Sequence, residues 1–204
     1  ALRESVPFDQ LPVKRTYTIR RVDQSARELD IDFVTHGDSG VAGPWAAAAK
    51  PGDRLTLSSP GGGFSPDPDA DHLFLFGDES AIPAIWSARE ALAPGVAVTT
   101  LVETRGPEYR LEAPAGPPVV WIDEDPDAPG AALVRGVEQL AWPDGRVQVF
   151  AHGERGAMKA LRPILAERGV ARSDLSLSAY WALGRTEEVF QAEKRQPVGQ
   201  IFPE

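Results

Sequence analysis

The 204-residue chain has no cysteine, three widely spaced histidines and a formal net charge of −9. These properties exclude a disulfide framework, a thiolate zinc site, a Cys-ligated iron–sulfur cluster and a cysteine nucleophile, and they offer no basic face for general nucleic-acid binding. No apolar run approaches the roughly 18 residues of a membrane span, the N-terminal stretch has no secretory apolar core and no H-E-x-x-H is present, so a cytoplasmic protein without membrane contact or a dedicated metal site is expected.

The first third reads as antiparallel β. Residues 15–22, "RTYTIRRV", form the first predicted strand, because Thr, Tyr and Ile fit a pleated surface. "ELDIDFVTH" follows, with Leu29, Ile31 and Phe33 alternating against aspartates, as in a half-buried strand. "GVAGPWAAAAKPGD" predicts a short helix over 44–49, and "DRLTLSS" a third strand. The Pro-, Gly- and Asp-rich stretch 59–71 is the expected domain boundary, since the pattern changes after it.

From residue 72 strands and helices alternate. "HLFLF" is a continuous apolar run, as for a strand buried on both faces. "SAIPAIWSAREALAPG" predicts a helix capped by Ser80, with Pro83 in its first turn and Ile82, Ile85, Trp86 and Leu92 on one face. "VAVTTLVE", "PPVVWID", "RVQVFAHG" and "DLSLSAYWAL" are further strands. "APGAALVRGVEQL" and "ERGAMKALRPILAERG" are helices, the second expected to kink or split at Pro163 and to turn Met158, Leu161 and Leu165 inward. "TEEVFQAEKR" closes the chain as a short helix. The alternation implies right-handed βαβ units and a parallel sheet.

Several segments carry residues suited to ligand chemistry. Arg15 and Tyr17, two apart on a strand, share a face: a guanidinium to hold an anion beside a ring that stacks, with the Thr18 hydroxyl next to them. The alternative is a surface strand whose arginines pair with Asp30 or Asp32. Gly40, Ala42 and Gly43 precede a helix, where free N–H groups favour an anion, or they form a plain turn. At the carboxyl end of the first parallel strand Gly77 permits close approach. There Asp78, Glu79 and Ser80 either contact ribose or nicotinamide or cap the helix. "FAHGE", ending at Glu154, repeats this arrangement. Tyr180 and Trp181 end the last strand, at least one of them in the core. No G-x-G-x-x-G, P-loop or Ser–His–Asp assembly is present.

Together "RTYTIR" (15–20), "LDIDFVTHG" (29–37), "GVAGPWAAAAKPGD" (40–53), "GDESAIPAI" (77–85), "AHGE" (151–154) and "AYWALG" (179–184) resemble the siderophore-interacting protein family, the flavin-dependent ferric-siderophore reductases. The resemblance implies a ferredoxin–NADP reductase-like architecture: an antiparallel FAD-binding β-barrel followed by an open parallel α/β sheet. Residues 1–62 would be the C-terminal part of an incomplete barrel, because the family carries several strands before its R-x-Y-T strand. Residues 63–204 would be the NAD(P)H-binding domain with its short C-terminal helix.

By the same resemblance Arg15 would hold FAD phosphate, Tyr17 would stack on the isoalloxazine, and Thr18 would bond near its reactive edge. Tyr17 and Thr18 would position hydride and electron transfer, with no catalytic acid or base. Val34 and His36 would border the ring. Gly40, Ala42, Gly43 and the helix near Trp45 would take the pyrophosphate. Asp78, Glu79, Ser80, Ala81, Glu154, Tyr180 and Trp181 would approach the flavin or nicotinamide. Lys14, Lys194 and Arg195 would line the entrance for an anionic ferric siderophore.

Two departures stand out. "GVAGPW" has Val41 and Pro44 where the family usually has a proline and a basic residue. "YWA" has Ala182 where many members have arginine, with Arg185 one turn on, so NADH and NADPH both remain open as donors. The expected activity is reduction of an Fe(III)-siderophore by NAD(P)H through FAD, releasing Fe(II), in a monomeric protein. The alternatives are a general NAD(P)H flavin reductase with another acceptor and a non-catalytic nucleotide- or chelate-binding module.

Overall fold

A computed structural model describes residues 12–35 and 37–202. Its first layer is a hairpin of β1 (Ile19–Asp23) and β2 (Glu28–Ile31), antiparallel with Val22 opposite Leu29. The Asp23 carboxylate accepts from Ser25 N, Ser25 Oγ and Ala26 N, so one side chain shapes the turn. Helix α1 (Ala42–Ala48) follows.

The second part is a five-stranded parallel sheet in the order β5-β4-β3-β6-β7, with β3 (His72–Asp78), β4 (Ala97–Thr104), β5 (Val119–Asp123), β6 (Val147–Glu154) and β7 (Leu175–Trp181). Helices α2 (Ile82–Glu90), α3 (Ala131–Glu138) and α4 (Arg155–Glu167) connect the strands, and α5 (Glu187–Glu193) follows β7.

The central strand explains its own sequence. Leu73 and Leu75 pack with Ile82, Ile85 and Trp86 of α2. Phe74 and Phe76 join Leu133, Val137, Met158 and Leu161 on the other face. With both faces covered, no position of "LFLF" can be polar. Each such side chain contributes on the order of 1.5–3 kcal/mol through burial. Chain order reverses between β3 and β6, which makes that pair of strand ends the sheet's ligand-binding crevice. Helix α2 also packs against β1, so the hairpin rests on this sheet.

The predicted α/β elements are all present, and the differences fall elsewhere. The first strand begins at Ile19 rather than residue 15, because its partner strand ends at Ile31, opposite Ile19. Arg15, Tyr17 and Thr18 therefore lie on the chain entering the strand, outside any ladder. Among the described residues "DRLTLSS" pairs with no strand, so it forms none. Helix α4 runs unbroken through Pro163, which sits on its exposed side, where water can satisfy the carbonyl the missing N–H leaves free. Ser80 does not cap α2, which starts at Ile82 without a side-chain cap; Asp78 instead caps the short 3₁₀ turn Glu79–Ala81 before it, accepting from the Ser80 amide. Lys194 and Arg195 follow α5 rather than lying within it.

Candidate functional site

The site is built where β3, β4, β6 and β7 end. Gly77 lies in β3 next to His152 of β6. A Cβ on Gly77 would come within 2.6 Å of the Ala81 Cβ and 2.8 Å of the His152 carbonyl, so only glycine lets strand, turn and neighbour close up.

Asp78 is the internal anchor. Its carboxylate accepts from Ser80 N (2.9 Å), Ser80 Oγ (2.5 Å), Glu154 N (2.8 Å) and Trp181 Nε1 (2.8 Å). One buried side chain thereby fixes the ends of β3, β6 and β7 relative to each other. Burial pushes its pKa up, against the four donors. Ala81 is wholly buried beneath it. Glu154 is a second anchor: its carboxylate accepts from Ala157 N (2.9 Å), capping α4, and from Leu183 N (3.2 Å), holding the segment after β7.

Glu79 points the other way. It clamps Arg105 at the end of β4 through both carboxylate oxygens, at 2.6–3.1 Å, and accepts from the Arg105 amide at 2.8 Å. The guanidinium lies over the Tyr109 ring, 4.1 Å from its centroid. Glu103 is buried next door and accepts from Gly130 N (2.6 Å) and Leu133 N (3.1 Å), which sets the start of α3. Glu124, just past β5, has its carboxyl pushed up by burial first and then by the charges of Glu79 and Asp78.

The hairpin side meets these strand ends. Thr18 lies beside Tyr180, whose phenol pKa burial raises. Arg15 pairs with Glu188 of α5 at 2.7 Å. Arg105 reaches the Thr35 carbonyl at 3.5 Å. Tyr17, 39% exposed, packs on Phe33 at 4.5 Å between centroids, and Phe33 lies 6.1 Å from Trp45, 37% exposed. Val34 is exposed beside them, and its carbonyl lies against Gly43. Gly40 takes a positive φ of 81° in the turn leading to Ala42. His152 is buried between Phe150, stacked at 3.9 Å, and Tyr180, edge-on at 4.9 Å, with Nε2 at 2.9 Å from Ser176 Oγ.

The structure thus brings Thr18, Asp78, Glu154, Tyr180 and Trp181 together, with Tyr17, Val34 and Trp45 forming an aromatic–apolar surface on the hairpin side. His36 lies outside the described residues. Lys14 and Arg195 are exposed, and Lys194 lies over the Phe190 ring at 4.7 Å, so among the described residues Glu188 is the α5 group that binds the hairpin side. Arg20 and Arg21 pair with Asp30, and Arg20 also with Asp32, the plain pairing the sequence offered for this charge. Sequence reasoning missed Phe33, Glu103, Arg105, Tyr109 and Glu124. "ETRGPEY" ends the second parallel strand, and applying the strand-end rule to every strand would have flagged it.

Comparison with known proteins yields a consistent set. A family model described as siderophore-interacting protein matches residues 70–184, and one described as siderophore-interacting FAD-binding domain matches residues 2–64. The ferric vibriobactin reductase of Vibrio cholerae is 34% identical over 199 residues, covering 94% of this chain and 72% of that protein. The NADPH-dependent ferric-chelate reductase of Escherichia coli is 30% identical over 180 residues, covering 86% and 68%. The crystal structure of a siderophore-interacting protein from Aeromonas hydrophila superposes with a TM-score of 0.79 at 32% identity, covering 91% of this chain and 74% of that one.

Proposed function

The chain belongs to the siderophore-interacting protein family, and from that premise we propose that it is a flavoprotein reductase that moves electrons from a nicotinamide dinucleotide to an Fe(III)-siderophore and releases Fe(II). The observation that carries the reading is the joining of two parts. The segment matched by the FAD-binding domain is tied by Arg15 to Glu188 of α5 and sets Thr18 beside Tyr180 at the carboxyl end of β7. Ferric reductases are among its relatives.

The residues fit a flavin. Tyr17, Phe33 and Trp45 offer a partly exposed aromatic surface suited to a flat ring system. Gly40, in the turn before α1, and Gly43, in its first turn, leave backbone open to the approach of a pyrophosphate. FAD, when bound, supplies the exchange between two-electron hydride transfer and one-electron transfer to iron. The balance is one NAD(P)H and two Fe(III) giving NAD(P)⁺, a proton and two Fe(II).

The protein's own part is placement. Tyr17 would present a ring face, and Arg15, paired with Glu188, fixes the chain beside it, with Thr18 next to Tyr180. Asp78 and Glu154 hold the strand ends that form the crevice, where Gly77 would leave room for a nicotinamide. Trp181, locked by its bond to Asp78, would shield that crevice from water. No general acid is required, since the reaction releases a proton rather than consuming one. Hard oxygen ligands hold Fe³⁺ by charge density, and lowering the charge to Fe²⁺ weakens the complex. The ferric chelate is the substrate, and the exposed Lys14 lies on the hairpin side where its anionic ligand would arrive.

The acceptor distinguishes this reading from a general flavin reductase. Protein loaded with FAD and reduced anaerobically is mixed with a ferric siderophore and with ferricyanide, and Fe(II) is trapped by a chromogenic chelator. Reoxidation by the siderophore with Fe(II) release is expected. Reoxidation by ferricyanide alone would contradict the proposed substrate.

A further inference from the structure

We propose that the site takes NADH in preference to NADPH, and that Glu79 and Asp123, by occupying Arg105 and Arg110, and Glu124, by its charge beside them, enforce the choice. The inference rests on the reading above that a nicotinamide dinucleotide is the donor.

The placement follows from topology. A dinucleotide in an open parallel sheet lies across the carboxyl strand ends at the switch point, here between β3 and β6. Arg15, paired with Glu188 just past β7, and Thr18, beside Tyr180, put the Tyr17 ring at the β6–β7 half. With the nicotinamide directed there, the adenosine half extends over β4 and β5. The group at those strand ends then decides the 2′ position. A carboxylate accepts from a ribose hydroxyl, whereas a free guanidinium accommodates a 2′-phosphate.

Among the described residues, the guanidinium groups just beyond β4 are each held by a carboxylate. Arg105 is gripped by both oxygens of Glu79 and lies over the Tyr109 ring. Arg110 pairs with Asp123 at 2.5 Å. The arginines of the opposite half, Arg155 and Arg185, both pair with Glu193. Beyond β5 the chain continues through Glu124 and Asp125. A 2′-phosphate adds nearly two negative charges. It would have to displace a carboxylate from an arginine while lying beside Glu124, which already sits in the field of Glu79 and Asp78. A 2′-hydroxyl meets only acceptors. This edge separates the chain from its NADPH-dependent relative in the choice of donor.

The test has two arms on the intact protein. Calorimetry compares 5′-AMP with 2′,5′-ADP, which differ only in the 2′-phosphate. Anaerobic rapid mixing of the FAD-loaded protein compares NADH with NADPH. We expect NADH to be favoured about tenfold or more in kcat/KM, and 5′-AMP to bind more tightly than 2′,5′-ADP. Asp123→Ser frees Arg110, and Glu79→Gln frees Arg105. Each should move both ratios toward the phosphorylated ligand. The Asp123 side chain is 70% exposed, so that variant keeps the fold. Equal or better use of NADPH, or ratios that move in neither variant, would overturn the proposal. If neither nucleotide reduces the flavin, the donor reading fails. The calorimetric comparison then still decides the preference: tighter 5′-AMP supports it and tighter 2′,5′-ADP refutes it.

Discussion

Single residues carry two expectations. Burial pushes His152 down to about 4 from an ordinary 6.5, so its imidazole stays neutral between Phe150 and Tyr180. Because the folded value lies below the unfolded one, its contribution is fully present above pH 6.5 and is lost as pH falls from there toward 4. The span corresponds to roughly 3 kcal/mol. Thermal melts of the protein and His152→Phe at pH 7 and pH 4.5 should show the advantage of histidine shrinking in acid. An equal gap at both values contradicts the assignment. Tyr17→Ala should weaken FAD binding by roughly 1–2 kcal/mol, five- to thirtyfold in Kd, while Tyr17→Phe keeps it, read by quenching of flavin fluorescence. At this scale the sequence was partly legible. Tyr17 and Thr18 stood out as residue types in a charged stretch, and pairing of Arg20 and Arg21 with the next strand's aspartates was already one of its two readings. That Arg15 reaches Glu188, 173 positions away, no local pattern announces.

Elements show where periodicity suffices and where it does not. β3 was legible because both its faces are covered, which forces an apolar run regardless of what covers them. The stretches at 15–18 and 54–59 have strand composition but no ladder, since a strand exists only with a partner. The cap of α4 is a case the sequence half revealed. Glu154 was marked as a strand-end residue, yet its carboxylate holds both the Ala157 and the Leu183 amides. Glu154→Ala should cost about 1–2 kcal/mol of stability. Urea denaturation measures this, and a change within a few tenths would show that the cap carries little. Trp181→Phe removes one donor from the buried Asp78 carboxylate and should cost a similar amount in the same assay.

At the scale of the molecule, the hairpin side is joined to the α/β part by β1 packed on α2, by Arg15 paired with Glu188 and by Arg105 reaching the Thr35 carbonyl, with Thr18 beside Tyr180. None is a neighbour in sequence, so the assembly of the site was legible only through resemblance to a family whose segments recur in this order. The acidic rim at β4 and β5 escaped even that, because it follows from which arginines are already paired. The account's central claim is electron transfer from a nicotinamide to chelated iron, and its stoichiometry tests it most directly. The FAD-loaded protein, under anaerobic conditions with excess ferric siderophore and an Fe(II) trap, receives a limiting amount of NADH. Two Fe(II) per NADH oxidised are expected, with none when the protein is omitted. NADH oxidation without Fe(II), or Fe(II) formation that does not depend on the protein, would contradict the claim.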